Sequence, residues 1–167
     1  MRRIPSTTNQ DDSLKRITTI LVGTLLALGA AVAGAAALTG TWTMNAEKST
    51  FTGPALKSQT RTYAVAADGT ITMSFTAVAA DGSAVSGGAT FKSDGQDNPI
   101  TGSNDYDTTA IRKVNGSTAK FTLKKAGKVV GHGTRTISGH GKVLTLTSTV
   151  KGADGKPYTS KIVFDKQ

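Results

Sequence analysis

The feature that most constrains this chain is the even spacing of its glycine turns. Asp68-Gly69, Asp81-Gly82 and Asp94-Gly95 fall 13 residues apart, and Asn115-Gly116, Ala126-Gly127, His140-Gly141 and Asp154-Gly155 follow. Asp-Gly and Asn-Gly suit type I′ hairpin turns, in which both central residues need positive φ. The segments between the turns alternate. Ile71, Met73, Phe75 and Ala77 share one face and Thr72, Ser74 and Thr76 the other; Ala119, Phe121 and Leu123 oppose Lys120, Thr122 and Lys124. Alternation of period two, rich in Thr and aromatics, marks half-buried strands. No segment after residue 40 carries a helical stripe. The spacing predicts strands near 38–45, 57–66, 70–79, 83–92, 98–102, 107–114, 117–125, 128–138, 142–151 and 157–165. Short strands with turns at this interval indicate a sandwich or barrel. The expected fold is all-β: one antiparallel up-and-down β-barrel of 8–10 strands. Gly87-Gly88 and Gly131/Gly133 fall inside strands, where glycine marks a bulge or bend.

The N-terminus reads differently. Arg2, Arg3, Lys15 and Arg16 flank an uncharged apolar run from Ile17 to Ala33, which ends in Ala35-Ala36-Ala37. Basic flank, apolar run and small residues form the pattern of a secretory signal peptide; a retained anchor is the alternative, since the run is near the minimum that spans a bilayer. The expected division is residues 1–37 as signal peptide and 38–167 as barrel domain, exported to a periplasmic or secreted location. The formal net charge is +9, with 20 Lys and Arg against 11 Asp and Glu. That balance favours weak attraction to anionic surfaces, and nucleic acid is not expected as a partner. A lipid-embedded barrel needs an apolar outer face with aromatic girdles; one face of most strands here is Thr, Ser and Lys, so the barrel is not expected to be membrane-embedded.

Chemistry-bearing residues are scarce. Cys is absent, which excludes disulfides, thiol nucleophiles and thiolate metal sites. His132 and His140 stand apart with no Cys or Glu nearby, so no metal and no cofactor are expected. No nucleophile-elbow or zinc-protease motif occurs, and no catalytic residue is assigned. The Asp-Gly pairs lack the full calcium-loop pattern. Arg61, Arg112 and Arg135 are the only arginines after residue 37. Arg61 is in phase with Tyr63 and Val65, and Arg135 with Val129, Gly131 and Ile137, which places both on the apolar face; the phase of Arg112 is ambiguous. An inward Arg can pair a carboxylate bidentately, or it can cover a barrel end or snorkel to water. Lys120, Lys124, Lys125 and Lys128 form a basic hairpin that reads either as edge protection or as a site for an anionic polymer.

The segment after residue 37 opens with Gly40-Thr41-Trp42. It continues through Lys48-Ser49-Thr50-Phe51 and Asp94-Gly95…Pro99…Gly102 to Gly155-Lys156-Pro157-Tyr158. This ordered set resembles the calycin group, the lipocalins and fatty-acid-binding proteins, and most of all small secreted bacterial lipocalin-like proteins. The resemblance implies that Gly40 and Trp42 plug one barrel end, with a cation over the indole. It departs from the fatty-acid-binding proteins in two respects. The last strand carries no Arg-x-Tyr, which occurs instead as Arg61-x-Tyr63, and no helical lid fits between the first two strands.

An eight-stranded barrel encloses side chains or one small ligand. The expected function is therefore extracytoplasmic binding of a small apolar or amphipathic, fatty-acid-like ligand in the lumen. The expected lining is Met73, Phe75, Phe91, Phe121 and Leu146, together with Leu144 and Phe164, and the polar anchors are Arg61, Tyr63 and Arg135. The alternative is a filled structural barrel that binds anionic envelope components through its basic face.

Overall fold

The computed structural model describes residues 36–152 and 154–167. The strands are β1 (Gly40–Phe51), β2 (Leu56–Val65), β3 (Ile71–Ala79), β4 (Ala84–Phe91), β5 (Asp94–Pro99), β6 (Thr108–Lys113), β7 (Thr118–Lys125), β8 (Lys128–Ser138), β9 (Val143–Lys151) and β10 (Pro157–Lys166). They form one ten-stranded antiparallel sheet in the order β4-β3-β2-β1-β10-β9-β8-β7-β6-β5. Each strand therefore lies beside its neighbour in sequence, and β1 and β10 zip the two halves together. The sheet curls until its ends meet. Ala89 bridges Ile100, the Thr101 N–H donates to the Gly88 carbonyl at 3.0 Å, and the Gly88 N–H donates to Thr101 Oγ1 at 3.1 Å. Gly87 permits this seam, because a Cβ there would collide with the Thr101 backbone. The all-β up-and-down barrel expected from the alternation is the fold observed, with ten strands.

The turns obey a chemistry other than the expected one. A type I′ turn needs positive φ at both centres, a condition that Ala126-Gly127, at 47° and 76°, and His140-Gly141, at 56° and 84°, meet and the Asp-Gly pairs do not. The Asp-Gly turns work through the Asp side chain. Asp68 Oδ1 accepts the Thr70 N–H, Asp81 Oδ1 the Ser83 N–H, and Asp154 Oδ1 the Lys156 N–H. In each, the following glycine takes the left-handed conformation and donates back to a carbonyl three residues earlier. This is the loop with a bulged glycine, the next most common hairpin connection, and the acidic residue satisfies a loop N–H locally.

Other departures come from bulges. β5 lies at 94–99 rather than 98–102, because Asp94-Gly95 is taken into a register shift against β6 instead of ending a strand. β1 runs on to Phe51 past a break between Asn45 and Thr50. There the Ser49 hydroxyl donates to the Asn45 carbonyl at 2.7 Å and accepts the Val163 N–H at 3.0 Å, replacing a ladder bond. A shift between Leu123 and Lys124 against β8 turns Val129 outward, where it is 62% exposed. Val129 thus does not share the face of Arg135.

The core is the inner face. One end is floored by Trp42, Leu144 and Phe164, the three most deeply buried large side chains. The indole N–H donates to the Leu38 carbonyl at 2.9 Å. The Lys166 ammonium stands 5.1 Å from the indole ring centre and donates to the Ala37 carbonyl. Gly40, at φ 126°, leaves room for that lysine: a Cβ there would sit 3.1 Å from Lys166 Cε. Among the described residues no helix is long and apolar enough to cross a membrane. Residues 1–35, which include most of the expected signal peptide, lie outside the described residues.

Candidate functional site

Pairing register stacks the inward side chains in rows up from the floor. The first row on β8, β9 and β10 is Ile137, Leu144 and Phe164. The second joins Ala119, Arg135, Leu146 and Ile162. The third joins Ile111, Phe121, Gly133, Ser148 and Ser160, and the fourth Thr109, Leu123, Gly131, Val150 and Tyr158. Across the barrel, Arg61 pairs with Trp42 and Phe75, and Tyr63 with Met73.

Above the floor the lumen is hollow, with a cavity of about 230 Å³. Arg61, Tyr63, Met73 and Phe75 line it from β2 and β3, and Phe91, Phe121, Arg135 and Leu146 line it from the rest of the barrel. Leu144 and Phe164, expected in the lining, are instead fully buried beside Trp42. Alternation reveals which face a residue takes but not how deep it sits. Phe121 reaches into the lumen because Gly133 opposite it has no side chain; a Cβ there would overlap the ring.

The two arginines dominate the electrostatics. The Arg61 guanidinium lies 5.3 Å from the Phe75 ring centre and 5.7 Å from that of Phe164. Its Nε donates to Gln59 Oε1 at 3.2 Å. The Arg135 guanidinium lies 5.7 Å from the Tyr63 ring centre. Burial pushes the Arg135 pKa below its ordinary value; the Tyr63 phenol opposes that shift, and the Arg61 charge adds to it. The group stays protonated, since a guanidinium does not give up its proton in proteins. The ion pairs among the described residues are Lys92–Asp68, Lys124–Asp97 and Lys125–Asp107, all outside the lumen. Two cations therefore face one largely apolar cavity with aromatic rings and the Gln59 amide as their partners, and no carboxylate lines it among the described residues.

The site also holds residues not among the expected lining. Gln59 and Thr109 are buried, and Ser148, Ser160 and Tyr158 line the cavity. Their phase is legible in the alternation, since Gln59 stands two residues before Arg61, Ser148 two after Leu146, and Tyr158 and Ser160 in step with Ile162 and Phe164; their depth is set by register. Tyr158 marks the end opposite Trp42. Its hydroxyl donates to Asp105 Oδ2 at 2.6 Å, tying the connection between β5 and β6 to β10. Burial, with Asp105 as hydrogen-bond acceptor and charge, pushes the phenol pKa up. Phe51, Gly102 and Tyr106 share this rim.

The remaining candidates fall outside the lumen. Arg112 is exposed and lies over Gly95. His132 and His140 are exposed, and no cluster that could hold a metal occurs among the described residues. In the basic hairpin, Lys124 and Lys125 are engaged by Asp97 and Asp107.

The chain matches no family model and no curated protein. Its course is similar to those of several solved barrels. A variant of the fluorescent protein UnaG is 14% identical, over 77% of this chain and 94% of that one, with a TM-score of 0.49. Zebrafish ileal bile acid-binding protein, complexed with cholic acid, is 15% identical over 78% and 99%, with a TM-score of 0.45. EF1p2_mFAP2b, bound to DFHBI, is 15% identical over 81% of this chain and 98% of that one, with a TM-score of 0.47.

Proposed function

We propose that this barrel is an extracytoplasmic binding protein that holds one small amphipathic acid, carboxylate toward the floor and apolar tail toward the rim. The observation that carries the reading is the pair Arg61 and Arg135, partly desolvated in one apolar cavity without an acid to pair them. Buried charge without a partner is costly. A ligand carboxylate relieves that cost and gains charge-assisted, bidentate hydrogen bonds. The tail packs on Phe75, Phe121 and Leu146, each worth about 1.5–3 kcal/mol when fully buried. A cavity of about 230 Å³ is near the small end of ligand sites, which begin at about 300 Å³, so a medium-chain acid fits better than a long one. The basic flank and apolar run before residue 37 support export.

Binding rather than catalysis is the reading because no imidazole reaches the lumen hydroxyls: His132 and His140 are exposed. The test is thermal unfolding with and without decanoic acid and decanol. A ligand selective for the folded state raises the melting temperature by mass action. The acid is expected to raise it more than the alcohol, and Arg135→Ala to abolish that difference. No shift with any acid overturns the proposal.

A further inference from the structure

On the two neighbouring strands β9 and β10 the inner face gives way to a pair of small hydroxyls at one level. On β9 the inward residues run Leu144, Leu146, Ser148, Val150, and on β10 Phe164, Ile162, Ser160, Tyr158. Both strands therefore place a serine in the third row, paired Ser148 to Ser160. The two hydroxyls are 2.9 Å apart and either can donate to the other. One hydrogen bond between two hydroxyls uses one proton, so the pair retains a second donor and spare acceptor lone pairs. Both residues line the cavity, beside Gly133 and next to the Phe121 ring. An apolar pair in this row would serve packing equally well, because polar groups in an apolar site cost free energy unless they are matched. Departures from consistent patterning concentrate at functional sites.

The row has a fixed place relative to the arginines. Leu146 pairs with Arg135, and Ser148 follows two residues on toward the rim. Two residues of strand rise about 7 Å. Thr109, buried and facing the same cavity, lies in the row above. We infer that the ligand is a bifunctional amphiphile: an acid that carries a second hydrogen-bonding group, a hydroxyl or carbonyl, further along its chain toward the rim, where it meets Ser148 and Ser160. The inference rests on the carboxylate being held at Arg61 and Arg135, and it adds the class of acid.

Calorimetry of the whole protein with two probes, decanoic acid and a mid-chain hydroxydecanoic acid, tests it. The hydroxy acid is expected to bind roughly three- to tenfold more tightly, the effect of one net hydrogen bond. In the Ser148→Ala/Ser160→Ala double variant that preference is expected to vanish while decanoic acid binds as well as before or better. Equal affinity of the two acids for the unaltered protein overturns this inference and leaves the arginine reading standing, as does an equal loss of both acids in the double variant. Failure of both acids to bind overturns the two together.

Discussion

The Lys166 ammonium lies 5.1 Å from the centre of the Trp42 ring and donates to the Ala37 carbonyl 2.9 Å away, so the last strand clamps the first at the closed end of the barrel. Trp42, Leu144 and Phe164 form the floor on which the ligand cavity stands. Trp42→Ala is expected to cost about 3–5 kcal/mol, the range for a large aromatic removed from a core. Lys166→Ala is expected to cost about 0.5–1 kcal/mol, the range of a partly exposed cation–π contact. Urea unfolding of the two variants measures both, and a Trp42→Ala barrel as stable as the parent contradicts the floor assignment.

The same clamp bears on where an exported chain would begin. Leu38 is 2% exposed and Ala37 gives its carbonyl to Lys166. Cutting after Ala37 removes that acceptor and places a new ammonium on a buried residue. Ala33-Gly34-Ala35 offers an earlier small-residue site. The exported protein is therefore expected to start at Ala36, and the intact mass of material from the culture medium or periplasm decides it. A mass beginning at Leu38 or beyond counts against this reading, and one that retains residues 17–35 favours the membrane anchor.

Phe121 and Gly133 set the shape of the lumen. Gly133→Ala puts a methyl group into the space of the Phe121 ring and against the Thr147 carbonyl of β9. Overpacking of this kind costs about 1–3 kcal/mol. It is expected to lower stability and to weaken ligand binding together, because the displaced ring moves into the cavity. Phe121→Ala on the Gly133→Ala background is expected to restore stability in part. Urea unfolding and calorimetry on the two variants check this, and a Gly133→Ala protein with parental stability contradicts the contact.

Acid is expected to loosen the turns before the core. Hydrogen bonds from the Thr70 N–H and hydroxyl, with Lys92 beside them, hold the Asp68 carboxyl at about 2, below its ordinary 3.8. The Ser83 hydroxyl and N–H lower Asp81 in the same way, and the Ala126 N–H lowers Asp107. A depressed folded-state pKa stabilises the fold above the unfolded value, and this contribution is lost as pH falls through the folded one. For Asp68 the loss is expected between about pH 4 and pH 2. Melting temperature followed over that window is expected to fall less steeply in Asp68→Asn than in the parent; identical slopes contradict the role of this turn.

Strand number and sequence were legible because period-two alternation and glycine spacing are local signals. The turn type was not, because Asp-Gly serves two hairpin geometries, and the choice depends on whether the carboxylate caps the N–H two residues on, as Asp68 does for Thr70. The inward phase of Arg61, Tyr63, Met73 and Phe75 could be read from the chain. Depth could not: Leu144 and Leu146 look alike in sequence, yet one lies in the floor and the other faces the lumen. Register sets depth; the break at Leu123–Lys124 is marked by Gly131 on the opposing strand, whereas the one at Asn45–Thr50 leaves no clear local mark. The serine row was hidden for another reason. Ser148 falls in step with Leu144, Leu146 and Val150, and Ser160 with Tyr158 and Ile162, but the pairing that joins their hydroxyls is a matter of register and not a local signal.

The most direct measurement of the central claim is the ionisation of the bound ligand itself. Decanoic acid carrying a carbon-13 label at its carboxyl reports its own titration by chemical shift. Two unpaired guanidiniums beside a carboxylate favour its charged form and lower its pKa. The bound acid is therefore expected to titrate at least one unit below its free value, and Arg61→Ala or Arg135→Ala to bring it back toward that value. A bound carboxyl that titrates at or above its free value would place the head group in the apolar part of the lumen, away from the arginines, and would contradict the account.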